Sequence, residues 1–306
     1  MNHQLVLDHF TGRLLENTSM ASYTSSRVGG NAAYLVDEND LAVFAADIQW
    51  CWENNVPFSI LGGGTNILVS SNGLDKLVLR NRCNRMEIRQ SGQQHSLHAE
   101  TGAIFASVSR FAAQNSLSGL EWACAVPGTL GGAVYGNAGA FGSNISKTLE
   151  MAYIVHREIG NKTLSAEEMG YSYRSSTLKR EPGKAVILAA DLKVQEGQAA
   201  EINAQMEANI SKRKASQPGG ASMGSTFKNP VGDHAGRLIE AAGLKGTRIG
   251  GVQVSPVHAN FLINDGSGKP EDYYQLIQLV RKTVAEKFGV TLELEIELLG
   301  NWQVSQ

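Results

Sequence analysis

The residues with most to offer chemically are a serine, an arginine, three glutamates and two runs of glycine. The heptapeptide Gly224-Ser225-Thr226-Phe227-Lys228-Asn229-Pro230 sets a hydroxyl beside a cation and an amide. Such a serine can hand over a proton, and Lys228 and Asn229 can bind an anionic substrate. The plain alternative is a turn whose serine caps a neighbouring element. Glu293, Glu295 and Glu297 alternate with Leu292, Leu294, Ile296 and Leu298, so the acids share one face of an extended strand. That pattern equally describes a solvated face, and periodicity does not choose among the three. Arg174, in Tyr171-Ser172-Tyr173-Arg174, is by default a surface arginine. The glycine runs are Leu61-Gly62-Gly63-Gly64-Thr65-Asn66-Ile67-Leu68 and Pro127-Gly128-Thr129-Leu130-Gly131-Gly132-Ala133-Val134-Tyr135-Gly136-Asn137-Ala138-Gly139-Ala140-Phe141-Gly142. Six of the latter sixteen residues are glycine. Glycine costs backbone entropy, so this density marks positive φ or close approach of a ligand to the backbone. Two such loops can offer a fan of N–H groups to the phosphates of a nucleotide.

Other chemistries are excluded by missing spacings. The chain has no G-x-G-x-x-G, which argues against a doubly wound nicotinamide domain. It has no G-x-x-x-x-G-K-[ST], no His-Glu-x-x-His and no Cys-x-x-Cys, so neither a P-loop nor a metal is expected. Gly220-Ala221-Ser222-Met223-Gly224 matches the G-x-S-x-G of a hydrolase elbow, but that elbow needs a buried strand before it and a helix after it. A polar linker precedes it here, and Pro230 follows closely. Cys51, Cys83 and Cys124 are scattered and read as reduced, buried thiols. The formal net charge of −2 gives no global field toward nucleic acid or an anionic membrane. No apolar run is long enough to span a bilayer, and the N-terminus does not read as a signal peptide. These features point to a cytoplasmic protein.

The elements that must position these residues are read from periodicity. An amphipathic helix is expected over 3–16 with Leu7, Phe10 and Leu14 on one stripe. Asn39 is expected to cap a helix reaching Asn54 that buries Leu41, Ala45, Ile48 and Trp52. Strands are expected at Ala32–Val36, Phe58–Leu61, Ile67–Val69, Leu77–Leu79, Met86–Ile88 and Leu97–Ala99, with a helix over 104–115. Further strands are expected near 151–156 and 185–194, and a helix over 198–215. A boundary is expected near 197–220, around Gln217-Pro218-Gly219-Gly220. Helix 235–242, strand 260–263 and helix 270–288 follow. Pro270 opens the last helix and Gly289 stops it. Thr291–Leu299 reads as one alternating strand. At 306 residues, with strands dominating before about residue 195 and mixing with helices after it, the chain reads as α+β with at least two domains.

Taken in order, a set of short pieces resembles the UDP-N-acetylenolpyruvoylglucosamine reductase family, also called UDP-N-acetylmuramate dehydrogenases. The pieces are Ser26-Arg27-Val28-Gly29-Gly30, the two glycine loops, Tyr173-Arg174-Ser175 and the 224–230 heptapeptide. Ala241–Gly246, Ile249–Ser255, His258-Ala259-Asn260-Phe261 and Leu292–Glu295 complete the set. The resemblance runs from about Thr24 to Gly300 and looks like the shorter form, without an extra substrate-covering loop. It implies an FAD-binding domain of the vanillyl-alcohol-oxidase (PCMH) type in two subdomains, 1–80 and 81–197, and a C-terminal α+β substrate-binding domain, 198–306. It implies cofactor contacts at Arg27, Gly62, Gly63, Gly64, Thr65, Asn66, Pro127, Gly128, Thr129, Gly131, Gly132, Asn137 and Gly139. It further implies catalysis by Arg174, Ser225 and Glu295, and substrate binding by Tyr173, Lys228, Asn229 and His258. The FAD would be non-covalent, because Leu61–Leu68 holds no histidine or cysteine. NADPH would be the reductant, and the substrate an enolpyruvyl ether of a UDP-sugar on the route to peptidoglycan. No metal, nucleic-acid or membrane partner is implied. An FAD-dependent oxidase or dehydrogenase of the same superfold, or a non-catalytic flavin-binding protein, is the alternative. Departures are few: Asn31, Val257, Leu294 and Glu297 stand where proline, lysine, proline and arginine are frequent.

Overall fold

The computed structural model describes residues 1–92 and 94–302. The chain forms two compact units that interleave along the sequence. The first is built from Met1–Leu14, Val36–Gly63 and Val78–Arg213. The second takes Leu15–Leu35, Gly64–Leu77 and the chain from Lys214 onward.

An antiparallel sheet organises the first unit. Its strands lie in the order Gly160–Ser165, Leu149–His156, Ala185–Glu196, Gln94–Glu100, Met86–Ser91. Across one register Leu97 faces Leu192, His98 faces Asp191 and Ala99 faces Ala190. The leucines and alanines enter a core with Phe105, Trp122, Leu130 and Val134, as the two-residue alternation of a half-buried sheet requires. The other face carries the polar partners. His98 Nδ1 lies 2.5 Å from Asp191 Oδ1, and the Tyr153 hydroxyl donates to Asp191 Oδ2 at 2.6 Å. Arg89 closes the cluster, 3.3 Å from Asp191.

Three local expectations shift in this unit. The N-terminal helix spans only His3–His9. Gly12, at φ +80°, turns the chain into a strand at Leu14–Ser19, so Leu14 leaves the helical stripe. The next helix, Leu41–Glu53, is capped by Asp40 rather than Asn39; the Asp40 carboxylate accepts from Ala42 and Val43 N–H. The Asn39 N–H donates instead to Glu38. The buried stripe of that helix is Phe44, Asp47, Ile48 and Cys51, about one residue away from the expected one. Asp47 can be buried because Arg13 and His9 pair with it at 2.8 and 3.0 Å. Helix Phe105–Gln114 and strand Phe58–Leu61 fall where periodicity puts them. All three cysteines are free and buried.

The second unit packs helices Ala235–Ala241 and Pro270–Phe288 with a small antiparallel sheet, Arg248–Ile249, Val252–Val254 and Leu262–Asn264. Phe227, Ile239, Tyr273, Ile277, Val280 and Leu292 fill its core. The long helix starts at Pro270, with Asp272 accepting from the Lys269 N–H at 2.9 Å. It stops at Gly289, whose φ of +67° closes a bond to Ala285 O. The alternating stretch 291–299 is a ladder only over Glu297–Leu299, which runs parallel to Ile67–Val69. The reason is the partner. Residues 293–295 bond to the irregular segment 226–228 instead, Lys228 N–H to Glu293 O and Glu295 N–H to Thr226 O, both at 2.9 Å.

Candidate active site

In the first unit the two glycine runs meet. A Cβ built on Gly62 would lie 2.3 Å from Thr129 Oγ1, so only glycine allows this approach. Gly128, at φ +98°, turns the chain into helix Leu130–Gly136. The first N–H groups of that turn are used internally: Leu130 donates to Ala103 O and Gly131 to Thr101 O, both at 2.9 Å. Gly131 therefore serves packing against Thr101 as well as any ligand. Gly63 and Gly132 are exposed, and a Cβ on Gly136 would touch nothing within 4 Å. This open, side-chain-free backbone beside the Gly62–Thr129 contact suits a flat, phosphate-bearing cofactor. Asn137, left-handed at φ +48°, ends the helix, and its side chain joins two neighbouring segments. It donates to Ser172 O at 2.9 Å and accepts from Ser146 N–H at 3.0 Å.

That bond brings Arg174 to the glycine run. Ser172 and Ser175 pair across a tight turn with Tyr173 and Arg174 at its tip. The strap is laced onto the helix by Tyr171 OH to Val134 O at 3.0 Å and Ser176 Oγ to Tyr135 O at 2.7 Å. Arg174 sits at φ +55°, a strained conformation for a residue with a side chain. Its guanidinium lies 5.2 Å from the exposed Tyr173 ring and 3.5 Å from Gly139 O. A second cationic spot lies in the same unit and was not singled out from sequence. Burial pulls the Arg213 guanidinium below its ordinary proton affinity, and the Cys124 thiol lies in the field of both Arg110 and Arg213. The available signal was the basic end of the 198–215 segment.

The second unit holds Ser225 and Glu295. Ser225 bridges to Phe261 and Phe227 to Leu294. Between them Thr226 donates its N–H to Asn260 O at 2.8 Å and accepts from Glu295 N–H at 2.9 Å. The Asn260 side chain clamps Phe227 at both its N–H and its carbonyl, 2.9 and 2.8 Å. The serine and the glutamate are thus carried by adjacent, mutually bonded segments. Asn66 Nδ2 donates to Glu295 O at 3.0 Å, a bond between residues 229 apart in sequence. Glu293, by contrast, is exposed and pairs with Lys228 at 3.2 Å. The Asn229 side chain accepts from Ala235 N–H at 3.0 Å and caps the following helix. His258 Nδ1 accepts from Asn260 N–H at 3.2 Å, and burial lowers the imidazole below its ordinary pKa. Its ring packs on Gly236 and Phe261. Arg27 has φ +57° and donates its N–H to Thr24 O. Ser222 is no nucleophile elbow: no helix follows it before Ala235, and its carbonyl accepts from Ser25 Oγ at 2.6 Å.

Among the described residues no group of three metal-ligating side chains is placed to hold an ion, and no helix is long and apolar enough to cross a membrane. Residues 32–157 match the model of the FAD binding domain. With the joined glycine loops, this defines an α+β flavoprotein of the oxidoreductase class. Residues 215–299 match the C-terminal domain of UDP-N-acetylenolpyruvoylglucosamine reductase. The reductase of Chloroflexus aurantiacus is 38% identical over 289 residues, 94% of this chain and 97% of the relative. That of Bacillus velezensis is 36% identical over 299 residues, 97% of each. The crystal structure of the Thermus caldophilus reductase superposes with a TM-score of 0.77 at 30% identity, covering 92% of this chain and 98% of that one. The chain belongs to the UDP-N-acetylenolpyruvoylglucosamine reductase family.

Proposed function

We propose that this chain reduces the enolpyruvyl ether of UDP-N-acetylglucosamine to UDP-N-acetylmuramate, in the cytoplasm, for peptidoglycan synthesis. Residues 1–80 and 81–197 would carry the flavin and 198–306 the substrate. When bound, non-covalent FAD supplies hydride, taken from NADPH, to the terminal carbon of the enolpyruvyl group. The protein's part is then to manage the charge and the proton. Negative charge develops on the substrate carboxylate as an enolate. Arg174 stabilises it by charge, and Glu295 by a hydrogen bond or as a protonated acid. Ser225 gives its proton to the adjacent carbon. A hydroxyl is a poor acid in water, so this requires close positioning and a strongly basic carbon.

The observation that carries the reading is the bond from Glu295 N–H to Thr226 O at 2.9 Å. It joins the backbone of Glu295 to the residue that follows Ser225. The test separates the half-reactions. Anaerobic bleaching of the yellow protein by NADPH should be the same in wild type and Ser225→Ala. Recovery of colour on adding the enolpyruvyl substrate should slow by about 100-fold or more. Wild-type recovery in Ser225→Ala would overturn the proton-donor role. Bleaching with no recovery in wild type would point to an oxidase or dehydrogenase of the same superfold, and a flavin that NADPH fails to bleach to a binding protein.

A further inference from the structure

We infer that Asn66 is a positioning residue for Glu295. The inference rests on the role given to Glu295 above. Asn66 belongs to the first glycine run, where the resemblance makes it a cofactor contact. Its side chain reaches the acid-bearing segment. Nδ2 donates to Glu295 O at 3.0 Å, and its own carbonyl accepts from Glu297 N–H at 2.9 Å. The two bonds straddle Ile296, which is buried in the core. The Glu295 peptide is thereby held on both sides, its N–H by Thr226 O and its carbonyl by Asn66.

No regular ladder does this work, because pairing with Ile67–Val69 begins only at Glu297. Asn66 is itself held in place. Gly64, at φ +61°, packs against Tyr23 O so closely that a Cβ there would lie 1.9 Å away. The Gly64 carbonyl accepts from Ser25 N–H at 3.0 Å, and Ser25 Oγ donates to Ser222 O at 2.6 Å. One brace therefore runs from the segment before Ser225, through the glycine loop, to Glu295. The donor must be an amide. An aspartate at 66 would set a carboxylate oxygen against a carbonyl oxygen.

The test compares Asn66→Ala and Asn66→Asp in the holoenzyme, alone and combined with Glu295→Gln. FAD content and NADPH bleaching are measured in each, and recovery is expressed per bound flavin. Recovery of colour with the enolpyruvyl substrate should slow about 10- to 100-fold in either Asn66 variant, the scale of a roughly 1 Å misplacement. Its pH profile should also shift. Within Glu295→Gln, adding Asn66→Ala should slow recovery less than twofold, because the residue acts through the acid. Asn66→Gln, which keeps an amide donor, should regain part of the rate. Loss of FAD with an unchanged recovery rate per bound flavin would overturn the proposal in favour of a cofactor ligand. So would an Asn66→Ala effect that multiplies in full with Glu295→Gln. A Glu295→Gln enzyme that recovers at wild-type rate would instead defeat the role of Glu295 and remove this one with it.

Discussion

Replacing Gly64 by alanine should cost far more than an ordinary glycine substitution, and the structure says why. Two penalties combine there. The residue is left-handed, at φ +61°, which costs a side chain about 1 kcal/mol. The new Cβ would also lie 1.9 Å from Tyr23 O, with Tyr23 C and Thr24 Cα at 3.0 and 3.2 Å. These are backbone atoms and cannot swing aside. Thr24 precedes Ser25, whose N–H bonds Gly64 O, so relief of the clash breaks that bond. Overpacking of this kind costs about 1–3 kcal/mol, for a total of about 2–4 kcal/mol. Gly289→Ala supplies the control. It is also left-handed, at φ +67°, but a Cβ there meets nothing within 4 Å. At about 2–4 °C per kcal/mol for a domain of this size, Gly289→Ala should lower Tm by about 2–4 °C and Gly64→Ala by about 4–16 °C. The assay is thermal unfolding of the holoenzyme at one fixed excess of FAD, since bound ligand raises Tm by mass action. Equal shifts in the two variants would refute the packing argument and leave only the dihedral penalty.

Other perturbations follow the same geometry. Arg174→Gly relieves a left-handed φ of +55°, so stability should hold or rise by up to about 1 kcal/mol while turnover of the enolpyruvyl substrate is lost; a fall in Tm of several degrees would make the arginine a structural residue. At Asp191, burial raises the carboxyl, but hydrogen bonds from His98 and Tyr153 and the charges of His98 and Arg89 outweigh it and hold the pKa below the ordinary aspartate value. A depressed acid stabilises the fold above its unfolded pKa and loses that effect as pH falls through the native value. The Tm gap between wild type and Asp191→Asn should therefore be full at neutral pH and close below about pH 4; a gap independent of pH would refute it. Burial raises the Cys51 and Cys83 thiols to about 12, so iodoacetamide at pH 8 should label them only after unfolding, as mass spectrometry of the native and denatured protein would show.

Sequence read best where a local rule fixes the outcome. The helix Pro270–Phe288 has its proline start, acidic first turn and glycine stop written in adjacent residues, and it forms as read. Ile67–Val69 and Phe58–Leu61 likewise match their short apolar runs. Reading failed where a distant partner decides. Asp47 looks like a solvent position on its helix until Arg13 and His9 arrive to pair with it. The 291–299 alternation promised one strand, but Thr226 and Asn66 compete for its backbone and leave three residues of ladder. The division into two units is equally hidden, because each draws on three separate stretches of chain.

The three glutamates of that strand show the limit most clearly. Alternation gives Glu293, Glu295 and Glu297 one face and no rank. Only a resemblance to known reductases favoured the middle one. Tertiary structure supplies a physical distinction. Glu293 is exposed and spent on Lys228. Glu297 opens the ladder with Ile67, its N–H held by the Asn66 carbonyl. Glu295 alone falls where the ladder stops, with its N–H bonded to the residue after Ser225 and its carbonyl to the glycine loop. A catalytic acid needs a fixed backbone, which these two bonds give Glu295. The irregularity that spoiled the strand expectation therefore supports the choice of Glu295. A regular strand through 291–299 would have set all three acids on equal terms.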